Sequence, residues 1–524
     1  MIERIVENWL TNTNEIGYQI PFCQYLISNN FTILHISKHG PMEQGKDIIT
    51  LDENGKPCAF QLKGGDINGK VWREIKGEIE ELVEIPINFP SISKDVPHRA
   101  VLVTNGVITD KVRRDIDDLN PTYTRRGRSE LELITRSDLL KRFMSVHGSF
   151  LPTELSDFKI FLELILSDGH ELLNKEQMSL FLESILFSKA KSKSELKRKI
   201  ASSVLLTQYV LQPYQSVDNY ISILEGWTML CAYILALVEK TGLKEKYWRK
   251  SFDLILEKVN SQLEPLKEEF FSRTDFTEGS WDGGLIYKSR ITIVLGWISA
   301  HELYKKQIDN SYIIDKRVYD YIQQNYEGLT WFWGESSTPF FVMMNFLVNE
   351  FDDKLLSNRI IWRLIIDIIF DNEFREGTGK PDPYFSSKDV LRDIYQISNS
   401  KIDRNSFLGS SYHLASLVDV LVRRNKRKVL EFLWKRIFPI RMCEFNPQPS
   451  WKMLFWDCKE GKQIEKYYKT PQSWKELEDE ENKWGNSGIP KVLHDNPFMY
   501  YFLITYPHRL TQNTLKLIDK SYIK

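Results

Sequence analysis

The 524 residues include 42% hydrophobic and 27% charged side chains, and the formal net charge is −1. Such a chain is too long for one core, and its balanced charge excludes a protein drawn to nucleic acid or an anionic membrane by its overall field. Five widely spaced cysteines without a CxxC pair exclude a zinc ribbon and a disulfide framework, and the expectation is a reducing cytoplasm.

Taken in chain order, Ile2 to Leu10 reads as a short amphipathic helix, acidic and without the apolar core of a signal peptide. A second helix is expected to begin near Pro21, because proline fits the first helical position, and to bury Phe22, Tyr25 and Leu26. "FTILHI" is a strand. The stretch from Glu43 to Gly65 then reads as a β-hairpin. Trp72 to Val83 is a helix with Ile75, Ile79 and Leu82 on one face and glutamates opposite. "RAVLVTNG" is a buried strand, "ITDKVRRDIDDL" a helix with Thr109 at its N-cap, "LELIT" a strand, and "DLLKRF" a closing helix capped by Ser137. This order predicts an α/β domain over residues 1–147, a central mixed sheet flanked by helices.

"GSFLPTELSD" reads as a linker. Beyond it, helical patterns follow one another through Lys193 to Leu211, Val217 to Glu239, Lys244 to Phe271 and Ile286 to Lys306, and later through Ser406 to Arg424 and Lys428 to Ile437. They predict a large all-α region, solenoid- or bundle-like, divided here into residues 148–330 and 331–524. Its longest apolar run, Trp227 to Val238, is too short to span a bilayer, so no membrane partner is expected.

The hairpin holds the chemistry. Alternation along its second strand puts Ala59, Gln61 and Lys63 on one side and Cys58, Phe60 and Leu62 on the other, so one side seats the strand and the other offers an amide and an ammonium. With an odd-length loop within Asp52 to Lys56, Asp47 falls directly across from Gln61. A two-residue Asn54-Gly55 turn would send it to the opposite face. Given the odd loop, Asp47, Gln61 and the Leu62 carbonyl supply hard oxygen donors for Mg²⁺ or Mn²⁺, and Lys63 serves an attacking water or a phosphate. Phosphate affinity is expected from Arg125, Arg126 and Arg128 in "TRRGRS" and from Lys70, Arg73 and Lys76.

An Asp, then Gln-x-Lys at a strand end, then helix, apolar strand, helix and strand resembles the restriction-endonuclease-like PD-(D/E)xK superfamily. Within it, the nearest likeness is to the Mrr-type branch, which carries Gln-x-Lys. The resemblance covers residues 1–147 and departs at Lys46, where the superfamily's name has proline. It implies that Asp47, Gln61 and Lys63 are a metal-dependent catalytic triplet acting on DNA, with RNA left open. It also implies a helper on the first core helix, for which Glu15 and Gln19 are the candidates. The expected function is a restriction or antiphage endonuclease of the prokaryotic cytosol, its helical region sensing a trigger, binding a protein partner or forming a homo-oligomer. The alternative is a catalytically degenerate nuclease fold that binds nucleic acid or acts as a scaffold. Three other motifs carry no such expectation: "GTGK" at Gly377 to Lys380, Pro381-Asp382, and His301, read as a helix-surface histidine.

Overall fold

The computed structural model describes residues 2–37, 45–90, 92–93, 96–147, 155–190, 192–272, 283–373, 409–445, 447–456, 465–467, 473–483 and 488–519. Two compact units form. The first comprises Met1–Leu166, Phe181–Pro213 and Lys244–Ile255, and the second Ser167–Leu180, Tyr214–Leu243 and Leu256–Lys524. The first therefore takes in helical segments beyond residue 147, and no division falls near residue 330.

The first unit opens with α1 (Ile2–Asn12), α2 (Glu15–Ser28) and β1 (Thr32–Ile36). β2 (Ile48–Leu51), β3 (Pro57–Lys63), α3 (Gly69–Glu84) and β4 (Arg99–Thr104) follow, then α4 (Asp110–Arg125), β5 (Leu131–Ile134) and α5 (Arg136–His147). The strands form one sheet in the order β1-β2-β3-β4-β5. β1, β2 and β3 pair antiparallel, and β3, β4 and β5 pair parallel, so the expected mixed sheet is present. Ile48 pairs with Phe60, Ile49 with Ala59, Thr50 with Cys58 and Leu51 with Pro57, which is the odd-loop register.

Helices cover both faces. Ile49, Ala59, Ala100 and Leu102 from one sheet face share a core with Trp72, Ile75, Ile79 and Leu82 of α3 and Val112 and Ile116 of α4. On the other face Phe60 meets Phe22 of α2 edge-on at 5.3 Å. The Ala59 side of β3 is therefore no open polar face: Ala59 and Gln61 are both buried. The reason is topological, since a strand joined to parallel neighbours by crossover helices is covered on both sides.

Several helix ends differ from expectation. α2 starts at Glu15, not at Pro21, because the Asn14 side chain accepts the Gly17 N–H at 2.8 Å and caps the helix six residues earlier; Pro21 lies inside it. At α5 the role expected of Ser137 falls to Thr135, whose N–H and hydroxyl both donate to Asp138 Oδ2, at 3.0 and 2.8 Å. Thr109 does occupy the N-cap position of α4, without a side-chain capping bond.

Beyond α5 the described elements are mostly helices. They are α6 (Leu155–Ile165), α7 (Lys175–Leu186), α8 (Lys193–Gln215), α9 (Tyr220–Thr241), α10 (Arg249–Ser272), α11 (Gly283–Ile308), α12 (Lys316–Leu329), α13 (Thr338–Glu350) and α14 (Lys354–Glu373). α15 (Leu414–Arg423), α16 (Arg427–Ile437), α17 (Trp474–Lys483), α18 (Met499–Thr505) and α19 (Gln512–Ile518) follow. α9, at 22 residues, is long and apolar enough to cross a membrane, and 94% of its most apolar window is buried within the protein.

The second unit departs from an all-α expectation. Ser410–Ser411 (β6), Arg441–Phe445 (β7) and Glu465–Tyr467 (β8) form a three-stranded sheet, so the helix expected from Ser406 starts only at Leu414. Glu335 accepts the Tyr412 N–H at 2.9 Å, and Tyr412 stacks on Phe445 at 4.5 Å, contacts that hold this segment extended. His301 is also not a surface residue. It is buried on α11, with Nδ1 2.8 Å from the Tyr501 hydroxyl and Nε2 3.0 Å from Glu264.

Candidate active site

The segment entering β2 is fastened to α3 before it reaches the sheet. Gly45 has φ +68°, and a Cβ there would lie 2.3 Å from the Glu78 carbonyl oxygen, so only glycine permits this approach. Lys46 is buried and donates to the Glu81 carbonyl at 3.2 Å; burial draws its pKa down to about 8.

Asp47 then leaves the expected register. Its N–H donates to the Phe60 carbonyl at 2.8 Å, although Phe60 is already the partner of Ile48, so Asp47 does not sit directly across from Gln61. The turn at Gly45 lifts the chain onto α3 and ends the regular ladder at Ile48. The carboxylate nevertheless reaches the strand segment that bears both expected partners. Asp47 Oδ2 accepts the N–H of Leu62, the residue separating Gln61 from Lys63, at 2.6 Å.

Gln61 and Lys63 share the face of β3 that looks onto α3, and their side chains converge there on one acid. Lys63 Nζ lies 2.6 Å from Glu78 Oε2, and Gln61 Nε2 lies 3.5 Å from the same oxygen. Gln61 Oε1 is buried and has no hydrogen-bond partner. Below them Tyr18 of α2 ties the ends of β3 and β4 together. Its hydroxyl lies 2.9 Å from the Lys63 carbonyl and 3.1 Å from that of Val103, and it accepts the Lys63 N–H at 3.1 Å. Burial holds the Tyr18 phenol well above its usual pKa, and the charges of Glu15 and Asp47 push the same way, so it remains protonated.

Both helper candidates lie on α2. Glu15 opens the helix beside Gly64, where an added Cβ would lie 3.5 Å from the Glu15 nitrogen, and Gln19 is buried one turn further on. The basic residues divide. Lys70 and Arg73 occupy the first turns of α3, which begins just after the Ile67–Ile108 bridge past the Thr104 end of β4. Arg73 donates to the Gly69 carbonyl at 3.1 Å, and Lys76 stands 3.9 Å from Glu80. Arg125, Arg126 and Arg128 lie where α4 gives way to β5, next to the Arg99 end of β4, whereas Lys63 pairs with Thr104 at the other end. The structure thus does not bring the arginine cluster to Lys63, and Arg126 is engaged by Glu84. Gly377 to Lys380 and Pro381-Asp382 lie outside the described residues.

Among the described residues no group of three or more His, Cys, Asp or Glu side chains is placed to hold a metal ion. A cation here would rest on mixed oxygen donors: the Asp47 carboxylate, Gln61 Oε1 and the Leu62 carbonyl. The buried, unsatisfied Gln61 oxygen fits that role, because a hard divalent ion would supply the partner it lacks. Reasoning from sequence missed Glu78 and Tyr18. Glu78 could have been singled out among the glutamates of α3 because it directly precedes the buried Ile79 and follows Ile75 by three, at the border of the apolar stripe. Comparison with protein-family models, with curated proteins and with solved structures finds no match.

Proposed function

We propose that the chain is a divalent-cation-dependent endonuclease acting on DNA, built on a PD-(D/E)xK-type core of the Mrr kind, and that it serves restriction or antiphage defence. The observation that carries this reading is the Asp47 carboxylate seated on the Leu62 N–H, between a glutamine with an unsatisfied buried oxygen and a lysine. Asp47, Gln61 and the Leu62 carbonyl would hold Mg²⁺ or Mn²⁺. The ion, when bound, supplies Lewis acidity and an acidified water. Lys63 would orient an attacking water and offset charge developing on the scissile phosphate, while Tyr18 fixes the Lys63 backbone. Lys70 and Arg73 supply phosphate contacts near the start of α3. The helical region senses a trigger, regulates the nuclease or assembles the protein, since an unrestrained DNase would damage its host.

A second reading is a degenerate nuclease fold that binds nucleic acid without cutting it. It draws support from the Lys63–Glu78 ion pair, which occupies the lysine, and from Gln61 in an acid's place. The discriminating experiment compares Lys63→Ala with the wild-type chain on DNA and on RNA with Mg²⁺. The nuclease reading expects cleavage by the wild type and at least a hundredfold loss in the variant with DNA binding retained. Binding without turnover in both proteins supports the second reading.

A further inference from the structure

We propose that Glu78 is the second carboxylate of the cation site, supplying from α3 the negative charge that Gln61 lacks. This rests on reading Asp47, Gln61 and Lys63 as a phosphodiesterase site. Asp47 and Gln61 are buried, and a divalent ion leaving water for such a place needs anionic oxygens around it. Asp47 alone gives one.

Glu78 is the acid on which both side chains from β3 already converge, 2.6 Å from Lys63 Nζ and 3.5 Å from Gln61 Nε2. Its side chain is 49% exposed, so its carboxylate has room to turn. Its backbone has none. Gly45 lies against the Glu78 carbonyl, and Lys46 Nζ reaches the Glu81 carbonyl one turn on, so the segment that delivers Asp47 is built directly onto the turn that delivers Glu78. Asp47 therefore follows, by two residues, a backbone set against that of Glu78, and the Glu78 carboxylate stands beside the Gln61 amide. Without a cation Glu78 pairs with Lys63. With one, Glu78 would serve as a carboxylate donor and leave the Lys63 ammonium for the phosphate or the attacking water.

The test is a titration of the full chain with Mn²⁺ alone, free Mn²⁺ being read by electron paramagnetic resonance, so that no catalysis is needed. Wild type, Asp47→Asn, Glu78→Gln and the control Glu80→Gln are compared after thermal melts establish that each is folded. The proposal expects Mn²⁺ affinity to fall at least about tenfold in Asp47→Asn and in Glu78→Gln and to stay unchanged in Glu80→Gln. Loss in Asp47→Asn with wild-type affinity in Glu78→Gln would overturn the role of Glu78 and leave the nuclease reading standing. Equal Mn²⁺ affinity in wild type and Asp47→Asn would overturn the nuclease reading itself, and this proposal with it.

Discussion

Asp47 Oδ2 stands 2.6 Å from the Leu62 nitrogen, joining the mouth of β2 to the strand end that bears Gln61 and Lys63. Leu62 is fully buried, so its N–H has no water to turn to. Asp47→Ala should cost about 1–3 kcal/mol by leaving that donor unsatisfied. Asp47→Asn, which keeps an acceptor oxygen of the same shape, should cost about 1 kcal/mol or less while removing the charge. Urea denaturation of the two variants checks the order.

Gly45→Ala should be among the more damaging small substitutions in the first unit. The new Cβ would meet the Glu78 carbonyl at 2.3 Å from a residue held at φ +68°, and neither backbone can move without shifting Asp47. A loss of about 2 kcal/mol or more is expected, together with weaker cation binding. Denaturation and Mn²⁺ titration of the same variant read the two effects separately.

The Lys63–Glu78 pair should contribute little to stability despite its short distance. The two side chains are 18% and 49% exposed, and solvent screens such pairs to about 1 kcal/mol or less. A double-mutant cycle with Lys63→Met and Glu78→Gln should give a coupling within that bound. Any large loss of cleavage in Lys63→Met is then chemical rather than structural.

Phosphate contacts should be uneven across the basic residues. Arg73→Gln should weaken DNA binding and lower the salt-dependence slope by about one unit. Arg126→Gln should leave both unchanged, because its guanidinium already faces Glu84 beyond the Arg99 end of β4. Binding isotherms at several salt concentrations distinguish the two.

In the second unit, burial draws the His413 pKa from 6.5 down to about 4. The unfolded chain takes up that proton as pH falls through 6.5, whereas the folded chain waits until about 4. The unfolded state therefore binds more protons in this window, and stability falls as pH is lowered across it, by up to roughly 3 kcal/mol. His413→Gln, which keeps a donor for the Pro507 carbonyl 2.9 Å away, should flatten that part of the stability–pH curve.

The order of elements through residue 147 was legible because each strand and helix carries its own periodicity, whereas the residues around Asp52 to Lys56 allowed either hairpin parity and the structure takes the odd loop. What escaped the sequence depends on partners distant along the chain. Pro21 suggested a helix start, but the capping amide of Asn14 overrode it. Alternation made the Ala59 face look open, though α3 and α4 cover it. Asp47 is displaced by a contact between Gly45 and Glu78, more than thirty residues later, and Glu78 looked like one of several solvated glutamates until β3 was placed beside it. β6 has two residues, too few for any period to register.

A cation-dependent nuclease centred on Asp47 is tested by incubating the full chain with plasmid DNA and Mg²⁺ or Mn²⁺, wild type beside Asp47→Ala, with folding of both verified by circular dichroism. Cation-dependent nicking or linearisation by the wild type is expected, abolished by chelation and lost in the variant. Cleavage that persists in folded Asp47→Ala, or a wild-type chain that binds DNA and leaves it intact with either ion, would contradict it.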